Sequence, residues 1–213
     1  HGTGARRRAR GAGLVNPAGS SSPGVQIVLL AGASGSGKSR LAHHVNALVV
    51  RLDDFYRDAD APDLPRSVHG FIDWDDVRTW DADGAVAALA HLSREGWCEL
   101  PDYSIAESRR TGWHRLDLAD HDLVIAEGIF AIELLRGVEA AGLNVTPLLL
   151  DRNRSLVAAL RFRRDVAQHR KPIPMLIRRG YALWKAQPEL HRRALSAGFR
   201  AVRMRSAIAL LSN

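Results

Sequence analysis

Gly32-Ala33-Ser34-Gly35-Ser36-Gly37-Lys38-Ser39 is a glycine-rich run closed by an amine and a hydroxyl. Glycines let successive backbone N–H groups curl around an oxyanion, and a helix starting near Lys38 adds its positive end to the same place. In this G-x-x-x-x-G-K-S spacing Lys38 can reach β- and γ-phosphates, Ser39 can hold the Mg²⁺ that bridges them, and Arg40 extends the phosphate-binding run. The chemistry indicated is binding of ATP or GTP. Carboxylates follow at Asp53-Asp54 and at Glu127. A hydroxyl that accepts a phosphoryl group benefits from a carboxylate that orients it and takes its proton, so one of the two aspartates is the candidate general base. Glu127 is placed to hold Mg²⁺ through water or to line the acceptor site. Arg152, Arg154, Arg161, Arg163, Arg164 and Arg170 crowd a helical pattern, with Arg161 and Arg164 on a shared face. A helix of this kind can close over a triphosphate and neutralise charge on the transferred group.

The elements that must carry these groups are legible from hydrophobic runs. Val25 to Leu30 reads as a strand feeding the glycine loop, and Leu41, His44, Val45 and Leu48 give the helix after it an apolar face. A second strand, Leu48 to Leu52, ends in Asp53-Asp54-Phe55-Tyr56; a third, Leu123 to Ala126, ends in Glu127-Gly128; a fourth, Val145 to Leu150, ends in Asp151. Strands whose carboxyl ends carry the chemistry are the mark of an open α/β sheet. Asp81 or Asp83 caps a helix that closes near Glu95-Gly96, and Trp97 to Leu100 is a short strand halted by Pro101. A helix around Met175 to Trp184 precedes another running from Pro188 toward Val202, and Ile208 to Leu211 is either a last strand or the end of that helical region. The segment Gly70 to Val77 mixes acids and aromatics, either as a polar pocket wall or as a solvated loop. Arg109 and Arg110, near Trp113, either clamp a substrate or cover surface.

Together these segments resemble the uridine kinase family, the P-loop nucleoside kinases related to phosphoribulokinase and bacterial pantothenate kinase. The resemblance spans about residues 25–180 and rests on Gly32 to Ser39, Asp53 to Tyr56, Phe71-Ile72-Asp73, Pro101-Asp102-Tyr103, Ile125 to Ile129 and Asp151 to Asp165. It implies a three-layer α/β sandwich with a mostly parallel central sheet and an arginine-rich helical lid around 152–175. The activity implied is Mg²⁺-dependent transfer of the ATP γ-phosphoryl group to the 5′-hydroxyl of uridine or cytidine. Carried over, it makes Asp53 the general base, Lys38, Arg161 and Arg164 catalytic, Glu127 and Ser39 the Mg²⁺ site, Tyr56 a wall of the nucleoside pocket, Asp73 a ligand of ribose hydroxyls and Tyr103 a base-pocket aromatic, with Arg110 beside it. The chain departs from the family at Ser104, Ile105 and Ser108, where an aromatic and a ring-reading histidine are usual, and at Trp74-Asp75, where a histidine-proline pair is usual. The departures bear on the acceptor, so another nucleoside, a sugar or a pantothenate-like alcohol stays open beside the pyrimidines.

The whole chain narrows the alternatives. Its 213 residues suit one domain, with a basic leader over 1–24 and a kinase domain over 25–213. A net charge of +7 invites nucleic acid, but the arginines cluster in the leader and between residues 152 and 205, and a polyphosphate-handling enzyme needs positive charge of its own. The partner expected is therefore a small-molecule acceptor, with homo-oligomerisation left open. No guanine-reading Asn-Lys-x-Asp segment favours a nucleotide switch, and the retained Lys38, Ser39, Asp53 and Glu127 argue against a non-catalytic binder. No apolar run approaches the ~20 residues of a membrane span. The single cysteine, Cys98, leaves no disulfide framework and points to the cytoplasm, with its thiol a small buried hydrophobe. His43 and His44 lack partners at metal-ligand spacing.

Overall fold

β1 (Gln26–Ala31) is apolar on both faces, and Ile27 through Ala31 are at most 2 % exposed. Such a strand needs neighbours on both edges and a layer on each face. A computed structural model, which describes residues 24–68, 70–153, 155–159 and 173–212, supplies both. β5 (Leu123–Glu127) and β6 (Val145–Leu150) flank β1, with β2 (Leu48–Arg51) beyond β5 and β7 (Arg200–Val202) beyond β6, all parallel. Alternate side chains of β1 go to opposite layers. Ile27, Leu29 and Ala31 join a core with α2 (Ala82–Glu95), α3 (Ala131–Ala140) and Ala194 of α4 (Ile173–Ser196). Val28 and Leu30 pack with α1 (Lys38–His44) and α5 (Met204–Leu211). The result is the expected α/β three-layer sandwich. Because the strands are parallel, the carboxyl ends of β1, β2, β5 and β6 lie on one side of the sheet.

A two-stranded antiparallel sheet of β3 (Trp97–Ser104) and β4 (Arg109–Asp117) stands apart from the main sheet and packs on the 3₁₀ turn Leu52–Phe55 that follows β2. Here the sequence reading is corrected. β3 does not stop at Pro101 but runs through it, with Pro101 opposite Trp113. Proline is tolerated because a two-stranded sheet leaves each strand an outer edge where no N–H is required. β4 escaped notice because most of its residues are exposed and its pattern is polar.

Other boundaries shift for local reasons. α1 ends at His44, where Asn46 turns left-handed (φ 51°), so Leu48 belongs to β2 instead of the α1 face. Of the two capping candidates, Asp81 accepts from the Gly84 N–H (2.9 Å), and Gly96 in left-handed conformation closes α2. α3 was not anticipated, although Ala131, Leu134, Leu135 and Val138 are buried at helical spacing. Pro188 does not begin a helix but sits inside α4, whose far end is pinned by fully buried Ala194; the helix stops at Ser196 before left-handed Gly198 (φ 96°), and Arg200–Val202, expected as helix, are strand β7. Ile208 to Leu211 is helical, as burial of Ala207 and Leu211 four apart requires. Cys98 is buried, which pushes its thiol up to about 11. The leader expected over 1–24 lies, except for Gly24, outside the described residues, as does most of the expected lid. No described helix is long and apolar enough to cross a membrane.

Candidate active site

The loop after β1 turns at Ala33 to Ser36, where the Ser36 N–H donates to the Ala33 carbonyl (3.0 Å). Gly35 and Gly37 both have positive φ, and Gly37 (φ 101°) is the residue from which α1 starts. A Cβ at Gly37 would lie 2.9 Å from Met204 Cε and 3.3 Å from Arg152 Nη1, both ends of flexible side chains that can give way, so it is the backbone conformation that demands glycine there. Gly32 opens the loop, Ser34 is exposed at its tip, and the Ser36 hydroxyl is buried without a hydrogen-bond partner among the described residues. Lys38 Nζ donates to the Gly32 carbonyl (3.1 Å) and lies 3.4 Å from Glu127 Oε2. Ser39 Oγ donates to Glu127 Oε1 (3.3 Å). Strand register explains this meeting: Glu127 ends β5 beside Leu30 of β1 and Arg51 of β2. Arg40 is exposed on α1, and no hydrogen bond or ion pair ties it to this cluster among the described residues.

The two aspartates that the sequence left open divide their work. Asp54 is buried and takes Arg51 through Nε (2.9 Å) and Nη2 (2.8 Å), so it anchors the turn to the end of β2. Its carboxyl is raised by burial, against the pull of Arg51. Asp53 instead points toward the Glu127 turn, where its Oδ1 accepts the Ile129 N–H (3.2 Å). Burial raises the Asp53 pKa above the usual value; the Ile129 N–H and the Lys38 charge oppose this, and Glu127 adds to it. Gly128 makes the approach possible, since a Cβ there would sit 2.7 Å from Leu52 Cβ and 2.9 Å from Asp53 Oδ1.

Beyond Asp53 an aromatic wall rises. The Tyr56 ring packs edge-on against Trp74 (5.5 Å) and Phe130 (5.8 Å) and at a tilt against Tyr103 (5.8 Å). Tyr56 OH donates to the Trp74 carbonyl (3.2 Å), and Tyr103 OH donates to the Arg57 carbonyl (3.2 Å). Burial raises both phenols, that of Tyr103 to about 12, and the Asp53 charge adds to the shift of Tyr56. Asp73 is exposed next to Trp74 and accepts from the Asp75 N–H (3.3 Å). Arg110 is not brought onto this wall: its guanidinium stacks on Trp113 (4.5 Å), while its backbone N–H donates to Asp58 Oδ1 (2.7 Å). Arg161 and Arg164 lie outside the described residues.

Sequence reasoning missed the Gly128-Ile129 turn, although the glycine directly after a strand-end acid is a signal for close backbone approach. It also missed the Arg51–Asp54 pair, visible as opposite charges three apart, and the edge-on packing of Trp74 against Tyr56, for which no sequence signal exists.

A scan of protein-family models finds no match to the chain. Inorganic pyrophosphatase TTM2 of Arabidopsis thaliana is 32 % identical to it over 128 residues, which make up 58 % of this chain and 18 % of that protein. The chain thus matches less than a fifth of its relative's length. Among solved structures, a protein described as a fructose transport system kinase of Silicibacter sp. TM1040 superimposes with a TM-score of 0.57 at 22 % identity, over 89 % of this chain and 92 % of that one. A possible uridine kinase of Bacillus stearothermophilus gives 0.45 at 19 % identity over 63 % and 74 %. The first of these likenesses covers nearly the whole chain, and it establishes the fold: an α/β sandwich of the kind found in P-loop kinases.

Proposed function

We propose that the protein is an ATP-dependent kinase that transfers the γ-phosphoryl group to a hydroxyl of a small molecule. The observation that carries this reading is the convergence of Lys38, Ser39, Asp53 and Glu127 at the ends of β1, β2 and β5, beside an aromatic wall that can hold an acceptor. Loop amides and Lys38 hold the donor phosphates, Asp53 takes the proton of the attacking hydroxyl, and the hydroxyl oxygen bonds to the γ-phosphorus as the bond to the bridging oxygen of ADP breaks. Raised by burial, the Asp53 carboxylate is a better proton acceptor than a solvated one. Ser39 Oγ and Glu127 Oε1, 3.3 Å apart, form the hard oxygen donor set that suits Mg²⁺. Ser39 and Glu127 would hold the ion, and it would supply positive charge to the β- and γ-oxygens. Arg161 and Arg164 would add charge from the lid.

The acceptor that best fits the family resemblance is uridine or cytidine, with the base against Tyr56 and Tyr103 and the ribose toward Asp73. A second reading is favoured at the hairpin tip. Ile105 there is 75 % exposed and Ser108 donates to the Ile105 carbonyl (3.4 Å), so neither presents a ring-reading group. An acceptor other than a pyrimidine nucleoside is the consequence. The test is ADP formation from ATP and Mg²⁺ with uridine, cytidine, other nucleosides, simple sugars and pantothenate, with pyrophosphate hydrolysis measured alongside because of the plant relative's name. Turnover of a nucleoside that collapses in Asp53→Asn supports the first reading. Turnover of another alcohol alone supports the second, and ATP binding without turnover of any acceptor sinks both.

A further inference from the structure

We infer that Arg152 binds the donor polyphosphate at its nucleoside end, an inference that rests on the kinase reading above. β1 delivers the phosphate loop, with β5 and β2 on one side of it and β6 and β7 on the other. Asp53 and Glu127 stand at the ends of β2 and β5, so the reacting γ-phosphoryl end of the donor lies on that side. The rest of the polyphosphate must leave toward β6 and β7.

Arg152 follows β6 by two residues and occupies that exit. Its Nη1 donates to the Ser36 carbonyl of the loop (3.3 Å) and lies 3.3 Å from where a Gly37 Cβ would be. The guanidinium thus flanks the loop opposite Lys38, which reaches back to Gly32 and Glu127. Its position is held from behind, because Gln187 of α4 donates to the Arg152 carbonyl (3.0 Å). Among the described residues the Ser36 carbonyl is its side chain's sole hydrogen-bond partner and no carboxylate pairs with it. A guanidinium carries five N–H donors in a fork that matches two phosphate oxygens at once, so most of its donors stay available for a ligand. The expected contact is a fork on the α- and β-phosphates, while Lys38 serves β and γ.

The experiment is calorimetric binding, without acceptor, of ADP and of inorganic tripolyphosphate to the wild type, Arg152→Ala, Arg152→Gln and Arg152→Lys. Glutamine has no charge and ends about two bonds short of the guanidinium Nη1, so a ligand-free thermal melt of each variant is what separates phosphate binding from support of the loop. The inference expects Ala and Gln to weaken both ligands by about 10- to 100-fold, the range of a charge-assisted hydrogen-bonded pair, with Lys intermediate. Wild-type affinity in Ala and Gln overturns it outright, and affinity losses that only track a fall in ligand-free Tm overturn it in favour of a structural prop. Loss for ADP but not for tripolyphosphate overturns it in favour of a contact to the base. Wild-type protein that binds neither ligand removes the kinase reading itself, a failure distinct from unchanged binding in the variants.

Discussion

Gly128→Ala asks whether the Asp53 carboxylate is held by the turn that follows β5. The new methyl would lie 2.7 Å from Leu52 Cβ and 2.9 Å from Asp53 Oδ1, whereas ordinary contact begins at 3.4 Å. Leu52 is fully buried and its Cβ moves only with the backbone, so side-chain rotation cannot relieve the first clash. The β5 turn and the 3₁₀ turn must therefore part by about 0.7 Å, and Asp53 must turn away from the Ile129 N–H. Overpacking of this kind costs about 1–3 kcal/mol, which lowers the Tm of a domain of this size by roughly 2–12 °C. A misplacement approaching 1 Å at a reacting group costs on the order of 10²-fold in rate. Steady-state kinetics, ADP binding and a thermal melt separate the two effects. The expected pattern is a kcat lower by about 10²-fold with KM for acceptor and Kd for ADP unchanged. A wild-type kcat in a variant whose Tm has fallen would refute the positioning argument. A parallel loss of ADP affinity would show that the damage had spread to the phosphate loop.

Asp53→Asn should reduce kcat by about 10²–10⁴-fold and raise Tm, both read on the same preparation. The sign follows from burial: a carboxyl whose folded pKa is raised stabilises the fold fully below its unfolded pKa and loses that contribution as pH rises through the folded value, so at neutral pH the ionised group is a cost that asparagine removes. For the same reason the acid limb of kcat/KM should fall above the usual aspartate range, and a limb at the ordinary value would contradict the burial of Asp53. Glu127→Gln should raise the Mg²⁺ concentration needed for half-maximal rate, and an unchanged Mg²⁺ titration would remove Glu127 from the metal site. Trp80→Phe should cost about 1–3 kcal/mol in a denaturant melt, because the Trp80 Nε1–H donation to the Leu52 carbonyl (2.7 Å) is buried and its loss leaves that oxygen unpaired.

What could be read from sequence was whatever chemistry forces locally. An apolar run long enough only for a buried strand, followed by Gly32 to Ser39, dictates both a strand and the turn after it, and strand-end acids at Asp53 and Glu127 follow from the same rule. What could not be read depends on partners distant in sequence. That Asp54 is neutralised by Arg51 while Asp53 is free to face the loop is decided by the direction of a 3₁₀ turn, which periodicity does not encode. Likewise β4 half-buries Arg110, Gly112 and Leu116 on one face, but of these only Leu116 is a large apolar residue, so its burial leaves no apolar alternation to read. Pro101 and Pro188 misled for one reason: proline marks a missing N–H, and whether that N–H is needed is a property of the edge or helix around it.

On the proposed kinase reading, the acceptor side is built in one piece with the turn that carries Asp53, and this would decide how selectivity and rate are distributed. Segment 55–59 is stitched on one side to the 77–81 region, where the Arg57 N–H donates to the Thr79 carbonyl (2.8 Å) and the Asp81 N–H to the Phe55 carbonyl (2.9 Å). On the other side it is stitched to the β3–β4 hairpin, through Tyr103 OH to the Arg57 carbonyl, the Arg110 N–H to Asp58, and the Ala59 N–H to the Ser108 carbonyl (2.8 Å). Tyr56 and Tyr103 are thereby fixed relative to Asp53 before any acceptor arrives, which is the condition for spending binding energy on orientation. The hairpin tip is held by none of these bonds beyond Ser108, and its Ile105 stays largely in solvent. Substitutions at the tip can therefore change what the proposed acceptor pocket presents without moving the carboxylate. The departures from the uridine kinase pattern at Ser104, Ile105 and Ser108 fall where the architecture permits change, and the phosphate loop, Asp53 and Glu127 fall where it does not.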